Sequence, residues 1–454
     1  MPRIPATRAG ALPACRLLAA ATAPPGNAPL PTAHAASAAP EHDGAPRPRI
    51  ALVRWYDYRA DSWVRRQAAA LLAHGYAVDV VCPRAPGEPA HEQVAGVTVW
   101  RVGGTKYRGG SITRYALAYL RFLIAALGTL ARLHRQHPYA AVQVYSMPES
   151  LVIAALGPRL AGVPLIYAAG DLTTELYAAK FGRKGSRLIA AALRLQERVC
   201  LGLADLVLTV HEEYRRRLLA RGVPAAKLRV VLNLPDERLF FPRPRPAAGR
   251  DGAAAEEFRL VYHGTLVERY GVDLAVEAVA LLRARIPGLR LMIYGDGELR
   301  PRLADLIARR GLSAHVALSP GYLPVDALPP LLAAADVALV PTRASAFTET
   351  ILPTKLLEYL ALGLPTIATR TRTVVAHVPP EAVEYCAPDD AEALAAAILR
   401  LWENPARRQA LAAGAQRWSA AHRWADAAAV YCAAVDALVA ARGGRPPPAA
   451  PHPS

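Results

Sequence analysis

TETILPTKLLEYLALGLPTIAT, residues 348–369, places Glu349, Lys355 and Glu358 around one helix start and closes on Gly363 and Pro365. Pro353 suits the first turn of a helix, where a missing N–H costs little, and Leu356, Leu357, Leu360 and Leu362 supply an apolar face. Exposed N–H groups and the helix dipole favour anions at that end, Lys355 adds a full charge, and Glu358 can accept hydrogen bonds from ribose hydroxyls. Such a start suits a sugar nucleotide. The plainer reading is an amphipathic surface helix with solvated Lys and Glu.

About eighty residues upstream, residues 258–262 read as a short buried strand that runs into His263-Gly264-Thr265-Leu266-Val267-Glu268-Arg269-Tyr270-Gly271, with a helix from near Val272. Strand, glycine loop and helix make a phosphate-binding arrangement. Gly264 and Gly271 allow close backbone approach, and Arg269 can grip a diphosphate bidentately. A strand over 289–294 ends in Gly295-Asp296-Gly297-Glu298, and another over 337–340 ends in Pro341-Thr342. In a parallel sheet these loops share the carboxyl edge, where ligands bind.

The first half alternates in the same way: strands over 48–53, 77–82, 142–145, 164–167, 206–210 and 228–232, with a helix over 62–74 after the first. Alternation predicts an α/β fold with parallel sheets. The 454 residues allow two domains of about 200 residues each. The expected division is an Ala/Pro-rich tail (1–48), a first domain (49–240), a linker (241–257), a second domain (258–423), a C-terminal helix (424–441) and a Gly/Pro-rich tail (442–454). Both tails are expected to be disordered. The apolar run 17–23 follows Arg3, Arg8 and Arg16 as a signal peptide would, but it is short and meets Pro24-Pro25 at once.

Three segments, YHGTLVERYGVD, IYGDGEL and PTKLLEYLALGLPTIA, lie in the order and spacing of the retaining glycosyltransferases of family 4 (group 1), which the chain resembles from Arg49 to Val439. The resemblance implies the GT-B fold, two Rossmann-like domains facing across a cleft, with 49–240 on the acceptor side, 258–423 binding the nucleotide sugar and the helix 424–441 crossing back to the first domain. It implies transfer of a sugar from a nucleotide-diphosphate sugar to a hydroxyl acceptor, with retention of anomeric configuration. Glu358 would bind the donor ribose and Arg269 the diphosphate. Glu349 would contact the donor sugar, although it stands nine residues before Glu358 where the family pattern has eight. Thr265 and Tyr270 replace basic residues of many members, so Arg269 and Lys355 carry the phosphate charge. Gly264, Thr265, Gly295, Gly297, Glu298 and Leu352 complete the expected donor pocket. No metal and no further cofactor are expected, the nucleotide-diphosphate sugar being a co-substrate. The acceptor would be a lipid-linked or polysaccharide precursor in cell-envelope glycan synthesis.

Ala169-Gly170-Asp171-Leu172-Thr173-Thr174-Glu175 follows the strand at 164–167 and is expected to line the acceptor side. Related enzymes often carry a histidine where Gly170 stands. Asp171 and Glu175 remain to hold donor or acceptor hydroxyls, against the alternatives of a helix cap and a first-turn carboxylate. The formal charge of +17 fits an anionic partner, and no lysine and arginine stripe of a nucleic-acid module is present. In residues 113–134, arginines and tyrosines flank an apolar core over 122–131 that is too short to span a bilayer. It reads either as an interfacial helix on an anionic membrane or as a core helix. Five scattered cysteines show no metal-ligand spacing and suit a reducing compartment. The expected location is cytoplasmic, peripheral on the inner face of the plasma membrane. Rival classes are a same-fold epimerase or phosphorylase and a non-catalytic sugar-nucleotide binder.

Overall fold

The computed structural model describes residues 47–105, 107, 112–171, 173–181, 187–244 and 257–447. Most of both expected tails and of the linker, with Cys15 and the apolar run 17–23, lies outside them.

Apolar runs buried on both faces build the strands, as parallel sheets covered by helices require. The first sheet comprises β1 (Arg49–Val53), β2 (Ala77–Pro83), β3 (His91–Val94), β4 (Val97–Val102), β5 (Tyr139–Tyr145), β6 (Leu165–Ala169), β7 (Leu206–Thr209) and β8 (Leu228–Val230). Their order is β3-β4-β2-β1-β5-β6-β7-β8, parallel except for the edge pair β3–β4. The second sheet holds β9 (Phe258–His263), β10 (Leu289–Tyr294), β11 (Val316–Leu318), β12 (Val337–Val340), β13 (Thr366–Thr369) and β14 (Glu384–Cys386). Its order is β11-β10-β9-β12-β13-β14, parallel throughout. In each sheet the first strand is central and the order reverses beside it. The loops after β1 and β9 therefore open into the crevice at a switch point, where ligands bind.

Six helices position the site: α1 (Ser62–Ala73), α2 (Ile112–Gln136), α3 (Arg187–Leu203), α4 (Val272–Leu282), α5 (Thr354–Ala361) and α6 (Trp424–Ala441). Asp61 caps α1 by accepting from the N–H groups of Trp63 and Val64, both at 3.1 Å. Pro353 stands at the cap position before α5 rather than inside its first turn. The helix expected over 113–134 extends over 25 residues and is long and apolar enough, by length and composition, to cross a bilayer. Its second half is nevertheless a core helix: Phe122, Ala126, Leu130 and Leu133 lie three and four residues apart and are buried on the first sheet. Helix α6 follows the second domain in sequence and packs on the first. The Tyr431 hydroxyl donates to Gln143 (2.8 Å), and Asp436 accepts from Tyr76 (2.6 Å) and contacts His74 Nε2 (2.7 Å).

Candidate active site

Helix α5 begins beneath the glycine loop after β9, and the close passage of that loop explains its glycines. Gly271 has φ 63°, and a Cβ there would lie 1.9 Å from the Pro341 carbonyl oxygen. A Cβ on Gly295 would lie 1.9 Å from the Gly264 carbonyl oxygen, so the loops after β9 and β10 run side by side. Leu266 N–H donates to the Asp296 carbonyl (2.8 Å) and Leu299 N–H to that of Leu266 (2.9 Å). Thr265 joins through its carbonyl, which accepts from the Tyr262 hydroxyl (3.0 Å). Gly297 has φ 155° against the same loop, and Glu298 beside it is exposed.

Three residues after Lys355, Glu358 is buried with Oε2 2.7 Å from His263 Nε2. The Tyr359 hydroxyl accepts from His263 N–H and lies 2.9 Å from Nδ1. With Tyr359 donating to Nδ1, the ring proton sits on Nε2 and is donated to Glu358, fixing the carboxylate. Its Oε1 makes no hydrogen bond among the described residues. In the sequence His263 only opens the glycine loop; its place as the last residue of β9 is the signal for its role.

Lys355 Nζ donates to the Tyr262 hydroxyl (2.6 Å) and lies 4.0 Å and 4.5 Å from the ring centres of Tyr262 and Tyr270. Burial lowers its pKa to about 7; Glu358 opposes the shift and Arg269 adds to it. The Arg269 guanidinium stacks on Tyr270 (5.0 Å) and Phe347 (5.8 Å), with a buried Nε that finds no partner among the described residues. Arg269 and Lys355 thus meet around Tyr270, the residue standing where many members have lysine. Leu352 is half-buried and packs on the core beside this helix start.

The first domain contributes Asp171 at the end of β6. Burial raises its carboxyl above the usual range, opposed by Arg54 and by Arg269, so side chains of both domains act on it. Its backbone N–H and that of Gly170 donate to Ser146 Oγ (3.4 Å and 3.1 Å). Gly170 has a steric reason. A Cβ there would come within 2.5 Å of the Trp63 ring, which stacks edge-on against Tyr145. Arg66 of α1, missed in the sequence, packs on Trp424 at 5.6 Å; burial lowers its pKa, and Glu358 is the largest opposing charge.

Two expected site carboxylates have partners within the protein. Glu349 Oε2 accepts from Arg372 N–H (2.7 Å) at the start of the helix Arg372–His377, so one of its oxygens serves as a cap. Glu175 is buried against Arg221 and Arg217, and Arg221 also pairs with Glu197. That cluster sets two guanidinium charges against Glu175. Among the described residues, no three His, Cys, Asp or Glu side chains group as metal ligands.

Residues 60–233 match the glycosyl transferase 4-like domain, and residues 257–404 match the glycosyl transferases group 1 model. A D-inositol 3-phosphate glycosyltransferase of Geodermatophilus obscurus is 30% identical over 392 residues, 82% of this chain and 84% of that protein. The chain belongs to the group 1 glycosyl transferases. The amylovoran biosynthesis glycosyltransferase AmsK of Erwinia amylovora is 29% identical over 205 residues, 44% of this chain and 48% of that one. The chain thus spans about half the length of the first curated relatives it matches. Anabaena HepE, solved with UDP-glucose, has the same fold as this group 1 glycosyl transferase. The TM-score is 0.64 at 18% identity, over 86% of this chain and 99% of that one. The two facing parallel-sheet domains are those of the GT-B fold.

Proposed function

We propose that this protein transfers a sugar, with retention, from a nucleotide-diphosphate sugar to a hydroxyl of a glycan or lipid-linked precursor. The observation that carries the reading is a buried carboxylate, Glu358 held by His263, beside two cations, Arg269 and Lys355, at the same helix start. As the bond to the donor sugar breaks, charge grows on the diphosphate. Fixed cations and the N-terminus of α5 answer it without reorganisation. Asp171 lies across the cleft, where a carboxyl orients donor or acceptor hydroxyls.

AmsK's role in amylovoran biosynthesis supports an envelope or extracellular polysaccharide precursor as acceptor. HepE's bound UDP-glucose supports a nucleotide sugar as donor. The proposed setting is the cytoplasmic side of the plasma membrane, at an anionic surface. The test is a thermal-shift screen of nucleotide sugars followed by product analysis with lipid-linked and soluble acceptors. A released nucleoside diphosphate with a new α- or β-linkage matching the donor is the expected result. Free epimer, or binding with no turnover on any acceptor, overturns the transferase reading.

A further inference from the structure

Helix α2 is unsupported over its first half and helix α3 along one face, and both helices start at the same end of the first domain. In α2 the first half exposes Leu117, Leu120 and Ile124, the last 61% accessible, while the second half is core. In α3, Leu188, Leu195 and Val199 are 83%, 63% and 53% exposed. A crossover helix of a parallel sheet runs antiparallel to its strands. α2 leads from β4 into β5 and α3 leads into β7, so both first halves lie towards the carboxyl edge, where the cleft opens. Both helices pack on the turn Glu149–Ala155, which links them.

The polar groups among these apolar ones have a single sign. α2 contains no acidic residue, and the one acid of α3, Glu197, is buried and paired with Arg221. Arg121 on α2 and Arg187, Arg194 and Arg198 on α3 are exposed. An apolar face rimmed only by arginine complements the anionic interface of a bilayer, which takes the leucines into the acyl boundary and the guanidiniums among the phosphates. A second copy of the chain would set arginine against arginine. So would the chain's own first residues, with Arg3, Arg8 and Arg16.

The face also adjoins the acceptor side. Trp55, just past the end of β1, packs against Tyr115 (4.9 Å) and Tyr119 (4.8 Å) of α2. Its neighbour Arg54 donates to the Ser146 carbonyl (2.8 Å), and Ser146 Oγ holds the backbone of Gly170 and Asp171.

We infer that the first half of α2 and the exposed face of α3 form one platform that seats the protein on an anionic bilayer with Asp171 facing the membrane-borne acceptor. The acceptor part rests on the transferase reading; the platform does not. The full-length protein is sedimented with vesicles of phosphatidylcholine alone and of phosphatidylcholine with one quarter phosphatidylglycerol, at low and high salt. Binding to the anionic vesicles that weakens roughly tenfold or more at high salt is expected, with little on neutral ones. The triple variant Leu188→Ser, Leu195→Ser, Val199→Ser, whose sites are exposed, should lose that binding while keeping wild-type melting temperature and nucleoside diphosphate affinity. No anionic binding at low salt, equal binding to neutral vesicles, or wild-type binding by the variant overturns the platform. So does a dimer that the same variant dissolves. Vesicle binding with no transfer to any acceptor leaves the platform standing and sinks only the transferase reading.

Discussion

Lys355 is the residue whose chemistry depends most on its surroundings. A lysine lowered to about 7 loses charge as pH rises through that value, so the free protein offers the diphosphate less cation above pH 7 than below it. Nucleoside diphosphate affinity should therefore fall by up to tenfold per unit above pH 7 until the bound phosphate restores the proton. Calorimetry in buffers of different ionisation enthalpy should show proton uptake near pH 8, and Lys355→Met should flatten the profile; a pH-independent affinity in the native protein counts against it. Glu358→Ala should weaken donor binding by about 2 kcal/mol through lost charge-assisted hydrogen bonds to ribose. Isothermal titration showing unchanged affinity would remove the ribose assignment. Arg269→Ala and Lys355→Ala should each lower turnover roughly 100-fold, donor affinity falling less, with Arg269→Lys only partly active. Steady-state rates near normal in both alanine variants would place the counter-charge elsewhere.

At the level of elements, Gly170 and Trp63 form a coupled pair between the end of β6 and the first turn of α1. Gly170→His should cost about 1–3 kcal/mol in stability, read as a lowered unfolding midpoint, because its side chain enters the volume of the Trp63 ring. Adding Trp63→Ala to that variant should recover part of the loss; additive losses would mean the two do not share space. The central strands were legible because runs such as Ile50-Ala51-Leu52-Val53 and Leu260-Val261-Tyr262 are apolar on both faces. The β3–β4 hairpin was not, because His91-Glu92-Gln93-Val94 is a half-exposed edge without an apolar run. Of the site, Lys355 and Glu358 could be read from their spacing on one helix and Arg269 from the glycine loop after β9. What escaped was each side chain's distant partner: Glu349 meets an N–H 23 residues on, Glu175 an arginine 46 residues on, and Glu358 a histidine 95 residues back. Local sequence carries no record of such pairings.

Across the whole molecule, one hydrophobic cluster runs from the first domain through Trp424, Tyr431 and Val435 into the second. Asp436→Ala should strip the partner from His74 and Tyr76 and lower stability by about 1–3 kcal/mol, followed by chemical denaturation. An unchanged midpoint would mean that α6 adds nothing to the first domain. Because the backbone passes from one domain to the other twice, once between residues 244 and 257 and again before Trp424, the halves behave like a door hung on two pins. One pin would let them swivel and slide freely. The second ties the far end of the chain back onto the first domain, so the two sheets that carry Asp171 and Arg269 are joined at two places instead of one.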